Sequence, residues 1–215
     1  MRNRHQPVAV EGYPFIVSFA FLTLFFAALD WDVLTLACFG LTLFTVYFFR
    51  NPERFPPEDP RAAVAPADGK IIFIGKVAEE RYFDGAELTK ISIFMNVFNV
   101  HVNRAPVSGQ ILDLFYNRGR FFNASLDKAS LENEQAGLLI ETKTGQRVLC
   151  VQIAGLVARR IVCYPEVGDS LERGMRYGLI RFGSRVDVFL PPEVDIQVAL
   201  GERTVAGETV LGCLE

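Results

Sequence analysis

The stretch GLIRFGSRVDVFLP, residues 178–191, alternates like a strand and breaks its own alternation at the centre. Ile180, Phe182, Val186, Val188 and Leu190 occupy even positions, while Arg181, Arg185 and Asp187 occupy odd ones. A period of two is the pattern of a half-buried strand. Gly183 and Ser184 interrupt it. Glycine inside a strand is unfavourable by roughly 0.5–1 kcal/mol relative to alanine. Ser184 shares the apolar face, so its hydroxyl points inward, and a buried hydroxyl without a partner costs about 1–3 kcal/mol. Most Gly-Ser pairs are turns. Here the alternation continues on both sides with no other turn residue, and local rules broken in this way point to a functional site.

Outward from this stretch the pattern stays β-rich. KIIFIGKV (70–77), KISIFMNVFNVHVNRAP (90–106), GQILDLFY (109–116), GLLIETKTGQRVLCVQIAG (137–155) and RIVCY (160–164) carry β-branched and aromatic residues between Gly, Pro and Asp-Gly turns. FFNASLDKASLENEQAG (121–137) is the one stretch here that can contain a short helix. The terminal VDIQVALGERTVAGETVLGCLE (194–215) spaces Gly201, Gly207 and Gly212 among short apolar pieces. That spacing resembles the hairpins of lipoyl-type, barrel-sandwich folds, and a plain β-meander fits it as well.

The amino-terminal part is different in kind. Tyr13 to Leu29 and Val33 to Phe49 are two runs without charge, separated by Asp30-Trp31-Asp32. Nine of the 19 phenylalanines fall within the first 50 residues. Each run as a helix spans about 25 Å, against a bilayer core about 30 Å thick. A hairpin that crosses twice and one that dips and returns both fit. Arg2 and Arg4 precede the first run, Arg50 and Arg54 follow the second, and the loop between has no Lys or Arg. The positive-inside rule puts both ends in the cytoplasm. No small-x-small cleavage site precedes Asp30, which argues against a signal peptide. Pro52, Pro56, Pro57, Pro60 and Pro66 then favour an extended spacer.

The fold class expected is therefore α+β. A membrane-spanning or membrane-dipping helical hairpin (1–49) leads through a proline-rich linker (50–62) to a β-rich, barrel-sandwich-like catalytic domain (63–215). With a net charge of −3 there is no general case for nucleic-acid binding. Cys38, Cys150, Cys163 and Cys213 form no C-x-x-C pair, and only two histidines, His5 and His101, accompany them. Neither a zinc site nor a disulfide scaffold is expected, and no metal is assigned.

A serine beside a glycine carbonyl has a chemistry of its own. The hydroxyl can attack the preceding carbonyl and shift the peptide bond to an ester. Elimination then cuts the chain, and hydrolysis of the dehydroalanine leaves a ketone, a pyruvoyl group, at the new amino terminus. Such a ketone forms a Schiff base with an amine and draws electrons from the adjacent carbon. A chain without any cofactor motif would thereby make its own electron sink from Ser184.

YGLIRFGSRVDVFLP (177–191) closely resembles the processing site of the phosphatidylserine decarboxylase proenzyme family, in its short bacterial branch. FFRNPER (48–54), PADGKI (66–71), FNVHVNRAP (98–106), NASLDKASLENEQ (123–135), VARRIVCYPEVGDSLERGMRYG (157–178) and the carboxyl end carry the same resemblance, which runs from about residue 48 onward. It implies a cut between Gly183 and Ser184 into a large β chain (1–183) and a small α chain (184–215) that stay associated. It implies decarboxylation of phosphatidylserine to phosphatidylethanolamine at the cell membrane, with the catalytic domain on the cytoplasmic side. A homo-oligomer is compatible with the chain.

The resemblance also assigns residues. His101 becomes a functional histidine, suited to moving a proton because imidazole titrates near neutrality. Asp68, in an Asp-Gly turn, becomes the carboxylate aimed at that histidine. Longer members carry a second histidine three residues on and use it in self-cleavage. Arg104 stands there in this chain, which leaves open whether His101 serves both cleavage and decarboxylation. For the lipid phosphate the candidates are Arg159, Arg160 and Arg104, with Arg118, Arg120 and Arg185 weaker. Two rival readings remain: a pyruvoyl decarboxylase of another amine, and a non-catalytic, membrane-tethered lipoyl-like binding module.

Overall fold

A computed structural model describes residues 6–120, 122, 124, 132–156, 160–181 and 183–215. The chain divides into two compact units, residues 2–53 and residues 54–215.

The first unit is a helical hairpin. A short 3-10 turn, Val10–Gly12, leads into α1 (Tyr13–Ala28), and α2 (Asp32–Phe48) follows a tight loop. Asp30 makes the reversal with a left-handed φ of 55°, a conformation that Asp tolerates better than most residues. Trp31 stacks on Phe26 at 5.7 Å across the same loop. At the open end the Ala9 N–H donates to the Phe49 carbonyl at 2.8 Å and the Asn51 N–H to the Pro7 carbonyl at 2.7 Å. Large apolar side chains face outward, with Leu24 71%, Val33 81% and Leu36 70% exposed. The hydroxyls of Ser18, Thr23, Thr35, Thr42 and Thr45 each donate to the carbonyl four residues back. Polar groups turned onto their own helix suit an apolar solvent. Val10–Ala28 is long and apolar enough to cross a membrane, by length and composition, while α2 is shorter. Arg2, Arg4 and His5 lie outside the described residues.

The second unit is built from antiparallel strands. In chain order they are β1 (Ala62–Val64), β2 (Gly69–Glu79), β3 (Ala86–Met95), β4 (Val102–Arg104), β5 (Gly109–Asn117), β6 (Gln135–Glu141), β7 (Arg147–Ala154), β8 (Ile161–Cys163), β9 (Ser170–Leu171), β10 (Arg176–Ile180), β11 (Ser184–Leu190), β12 (Asp195–Ile196), β13 (Arg203–Thr204) and β14 (Val210–Cys213). Eight of them form one sheet in the order β13-β2-β3-β11-β7-β6-β5-β9. Register shifts at Ile71/Phe73 and Ile111/Asp113 mark irregularities of the kind that bend a sheet, and the sheet curls into a half-barrel. Two three-stranded sheets, β1-β14-β12 and β4-β10-β8, complete the unit.

The core fills the sheet's inner face. Ile91, Ile93 and Met95 from β3, Val186, Val188 and Leu190 from β11, and Val148 and Cys150 from β7 pack with Tyr177, Ile180, Ala63 and Leu211 of the smaller sheets. Each fully buried aliphatic side chain contributes about 1.5–3 kcal/mol. The outer face carries its own cluster, Leu139, Leu149, Val151 and Ile153 under Tyr82, Phe115 and Phe189.

The proline-rich run is extended, but from Arg54 onward it is tied to the strand domain. Arg173 donates to the carbonyls of Pro57, Asp59 and Ala62, and Phe55 N–H donates to Glu208. The helix considered within 121–137 falls on residues 121, 123 and 125–131, outside the described residues, and Gln135 onward is strand.

Candidate active site at the Gly183–Ser184 junction

The stretch 178–191 is not one strand with a flaw. It is two strands in different sheets. β10 lies between β4 and β8, whereas β11 lies between β3 and β7. β10 ends at Ile180 and β11 begins at Ser184, and Gly183 enters the second sheet with φ +68°. That left-handed value is open to glycine and strained for other residues. The alternation also differs from a half-buried strand. The even positions of β11 are buried, but so are Arg185 and Asp187, each 2% exposed. They form a two-pronged ion pair at 2.8 and 3.0 Å, with Lys90 at 3.8 Å from the same carboxylate. Phe182 lies outside the described residues.

Ser184 opens β11 and is fully buried. Its register partners are Met95 on β3 and Ala154 on β7. The hydroxyl points at the Met95 thioether, Oγ to Sδ 3.3 Å. Sulfur is a weak acceptor, so the hydroxyl is only weakly engaged. His101 precedes β4 and is 2% exposed. Its Nδ1 lies 3.0 Å from the Asn99 carbonyl oxygen. A carbonyl only accepts, so Nδ1 carries the hydrogen and Nε2 presents its lone pair. The Gly183 N–H points at that lone pair over 3.4 Å. The Ile180 N–H donates to the His101 carbonyl at 3.3 Å, binding the histidine's backbone to the end of β10.

Beneath the serine lies a buried amide pair that sequence reading missed. Gln152 Nε2 donates to Asn103 Oδ1 at 2.8 Å, and Asn103 Nδ2 lies 3.7 Å from Met95 Sδ. The clue in the sequence is Gln152 itself, a polar residue on the inner face of the otherwise apolar VLCVQIA. The Asn99 carbonyl that orients His101 had no sequence signal.

Asp68 is placed elsewhere. Its Oδ1 accepts from the Ala206 N–H at 2.8 Å and its Oδ2 pairs with Arg54 at 3.0 Å. The carboxylate is thus held between the Ala206 N–H and the Arg54 guanidinium. Arg104 is buried, and its Nη1 donates to the Gly174 carbonyl at 2.8 Å. Burial, then the charges of Arg176 and Arg54, push its guanidinium down to about 10, against the opposing pull of Asp68 and Glu208. Arg176 is the register partner of Arg104 across β10 and β4. Three guanidiniums thus share a region with two carboxylates.

The other arginines separate by environment. Arg160 is exposed, and its carbonyl accepts from the Arg181 N–H at 3.3 Å. Arg159 lies outside the described residues. Arg118 and Arg120 are exposed, and Arg120 pairs with Glu132 at 3.4 Å. Arg185 is committed to Asp187. Among the described residues no three His, Cys, Asp or Glu side chains gather as metal ligands.

Comparison with known proteins bears on the same residues. The family profile described as phosphatidylserine decarboxylase matches residues 41–212, which include every side chain of this site. A phosphatidylserine decarboxylase proenzyme from Syntrophotalea carbinolica is 64% identical over 215 residues, covering 100% of both chains. Those from Geobacter sulfurreducens and Geotalea uraniireducens are 58% and 55% identical, again over 100% of both chains. With a profile spanning most of its length and relatives this similar from end to end, the chain belongs to the phosphatidylserine decarboxylase family.

Proposed function

We propose that this chain decarboxylates phosphatidylserine to phosphatidylethanolamine and carbon dioxide, using a pyruvoyl group made from its own Ser184. One observation carries the reading. A fully buried hydroxyl set against a thioether and an imidazole lone pair both lie at the Gly183–Ser184 peptide.

The residues suit the formation of that group. His101 Nε2 takes the Ser184 proton as Oγ adds to the Gly183 carbonyl carbon. The left-handed turn at Gly183 separates the carbonyl from the regular ladder. Once formed, the ketone condenses with the substrate amine and draws electrons from the bond to the departing carboxylate. His101, with Nδ1–H held by Asn99, is then the group placed to return a proton to the product carbon. The inner wall of Met95, Val186 and Ala154 keeps water from the reacting centre.

The cut does not release the small chain. β11 stays paired to β3 over Ser184–Leu190 and to β7 over Ser184–Phe189. The cluster of Arg54, Arg104 and Arg176 suits the lipid phosphate, and Asp68 serves there as a counter-charge that keeps the guanidiniums together. The hairpin 1–49 anchors the enzyme in the cell membrane, and the arginines flanking it put the catalytic domain on the cytoplasmic side. A two-chain lipid leaves the bilayer at high cost, so a membrane-bound site meets its substrate where it resides.

Mass spectrometry of purified protein tests this. Two fragments are expected, the smaller beginning at residue 184 and carrying a ketone that borohydride traps with phosphatidylserine. A catalytically active preparation consisting only of the uncut 24.1 kDa chain would overturn the reading.

A further inference from the structure

Gly155 follows β7 directly, and the Ala154–Ser184 register places it opposite Gly183. A Cβ built on Gly155 would lie 2.2 Å from the Gly183 carbonyl oxygen and 2.9 Å from its carbon. A Cβ on Gly183 would meet nothing within 4 Å. The two glycines therefore serve different needs. Gly183 supplies a backbone angle; Gly155 supplies room for the carbonyl of the bond to be cut.

Gly155 is itself held from the far side. The Ala154 carbonyl accepts from Asn133 Nδ2 at 2.7 Å, and the Ala154 N–H donates to the Glu134 carbonyl at 2.9 Å. Asn133 is 2% exposed and also grips both the N–H and the carbonyl of Phe122. The end of β7 is thus a fixed surface against which one carbonyl rests.

We infer that Gly155, braced by Asn133, is a positioning residue for self-cleavage, setting the direction from which Ser184 Oγ meets the Gly183 carbonyl carbon. The inference rests on the self-processing proposed above. In the first step Oγ bonds to that carbon, the hydroxyl proton passes to His101 Nε2, and the carbonyl oxygen swings as the carbon becomes tetrahedral. The C–N bond then breaks and the Ser184 nitrogen takes up a proton, leaving an ester. Loss of the Cα proton and the Cβ–O bond releases the Gly183 carboxylate, and water replaces ammonia to give the ketone. Only the first step depends on where the carbonyl sits. A side chain at 155 displaces that carbonyl and leaves the serine, the histidine and the later steps their own groups.

The test follows cleavage of newly made full-length chain by mass spectrometry, with and without hydroxylamine, which breaks esters but not peptides. Gly155→Ala is expected to slow cleavage at least tenfold, with no acceleration by hydroxylamine. The uncleavable Ser184→Ala and Ser184→Ala/Gly155→Ala chains, compared by thermal midpoint, establish that the fold persists. Wild-type cleavage by folded Gly155→Ala would overturn the inference. So would slow cleavage that hydroxylamine restores, since that places the defect after the ester. If Gly155→Ala does not fold, Asn133→Ser, which releases the Ala154 carbonyl without adding an atom at 155, takes its place, and an unchanged rate overturns the inference. A wild-type chain that stays uncut instead overturns the self-processing reading itself.

Discussion

Ser184 and Gly183 are joined by one peptide bond and held by different means. On the Ser184 side the strand is paired on both edges, to β3 and to β7, and carries a buried ion pair one residue further on. On the Gly183 side the chain is turning between sheets, with φ +68° and a 3.4 Å hydrogen bond to His101. The difference teaches which half of the bond is scaffold. The hydroxyl is presented from a rigid strand, while the carbonyl lies where the backbone leaves regular structure and can change geometry.

Removing the proposed nucleophile breaks this comparison outright. Ser184→Ala should abolish both cleavage and decarboxylation, leaving a single chain by mass spectrometry, while its denaturation midpoint stays near that of a folded precursor. Any decarboxylation by that variant would remove Ser184 from the chemistry. Replacing His101 by Ala removes the imidazole proposed as the base at the junction. General acid–base groups contribute about 100- to 10,000-fold, so phosphatidylserine turnover should fall by at least about a hundredfold, read as carbon dioxide release.

The scaffold side is tested through stability instead. Asp187→Ala leaves the buried Arg185 and the half-buried Lys90 without their carboxylate, which should destabilise the domain by about 3–5 kcal/mol. Urea unfolding of the uncleavable chain would measure it; a change under about 1 kcal/mol would mean the cations find water. Away from the junction the effects shrink. Arg54 and Asp68 are 18% and 13% exposed, so a double-mutant cycle of Arg54→Gln and Asp68→Asn should give a coupling of about 1 kcal/mol or less. The smallest effect is silence. Burial pushes the Cys150 thiol up to about 12 and the Cys163 thiol up to about 11. Because the thiolate is the reactive form, iodoacetamide at pH 8 should leave Cys150 unlabelled in the native protein and label it in urea.

Much of this was legible without coordinates. The apolar hairpin announces itself because lipid-compatible helices need long uncharged runs. Short β-branched segments between Gly and Pro turns announce the strand domain. The Gly183-Ser184 break was visible because it violates a periodic pattern, and His101 because it is the only histidine beyond the amino-terminal tail. The nature of the break was not legible. A change of sheet and an interrupted strand give the same alternation, since both flanks bury their even residues. The family resemblance implied Asp68 as the histidine's carboxylate, and a turn does not say where its carboxylate points; the partners it has, Arg54 and the Ala206 N–H, came only with the fold. The proline run reads as a spacer because proline dictates extension, not attachment, and only folding brings Arg54 back onto Asp68 and Arg173 onto the carbonyls of 57, 59 and 62.

Sequence alone determined the elements and the bond proposed to react, because helix length, strand period and the chemistry of a serine beside a glycine are local properties. Tertiary structure alone decided what surrounds that bond. It put a histidine lone pair at the Gly183 N–H, a thioether at the hydroxyl, and a second glycine, 28 residues earlier in the chain, against the carbonyl. Such neighbours come from strand register across a curled sheet, a relation between distant segments that no local pattern encodes.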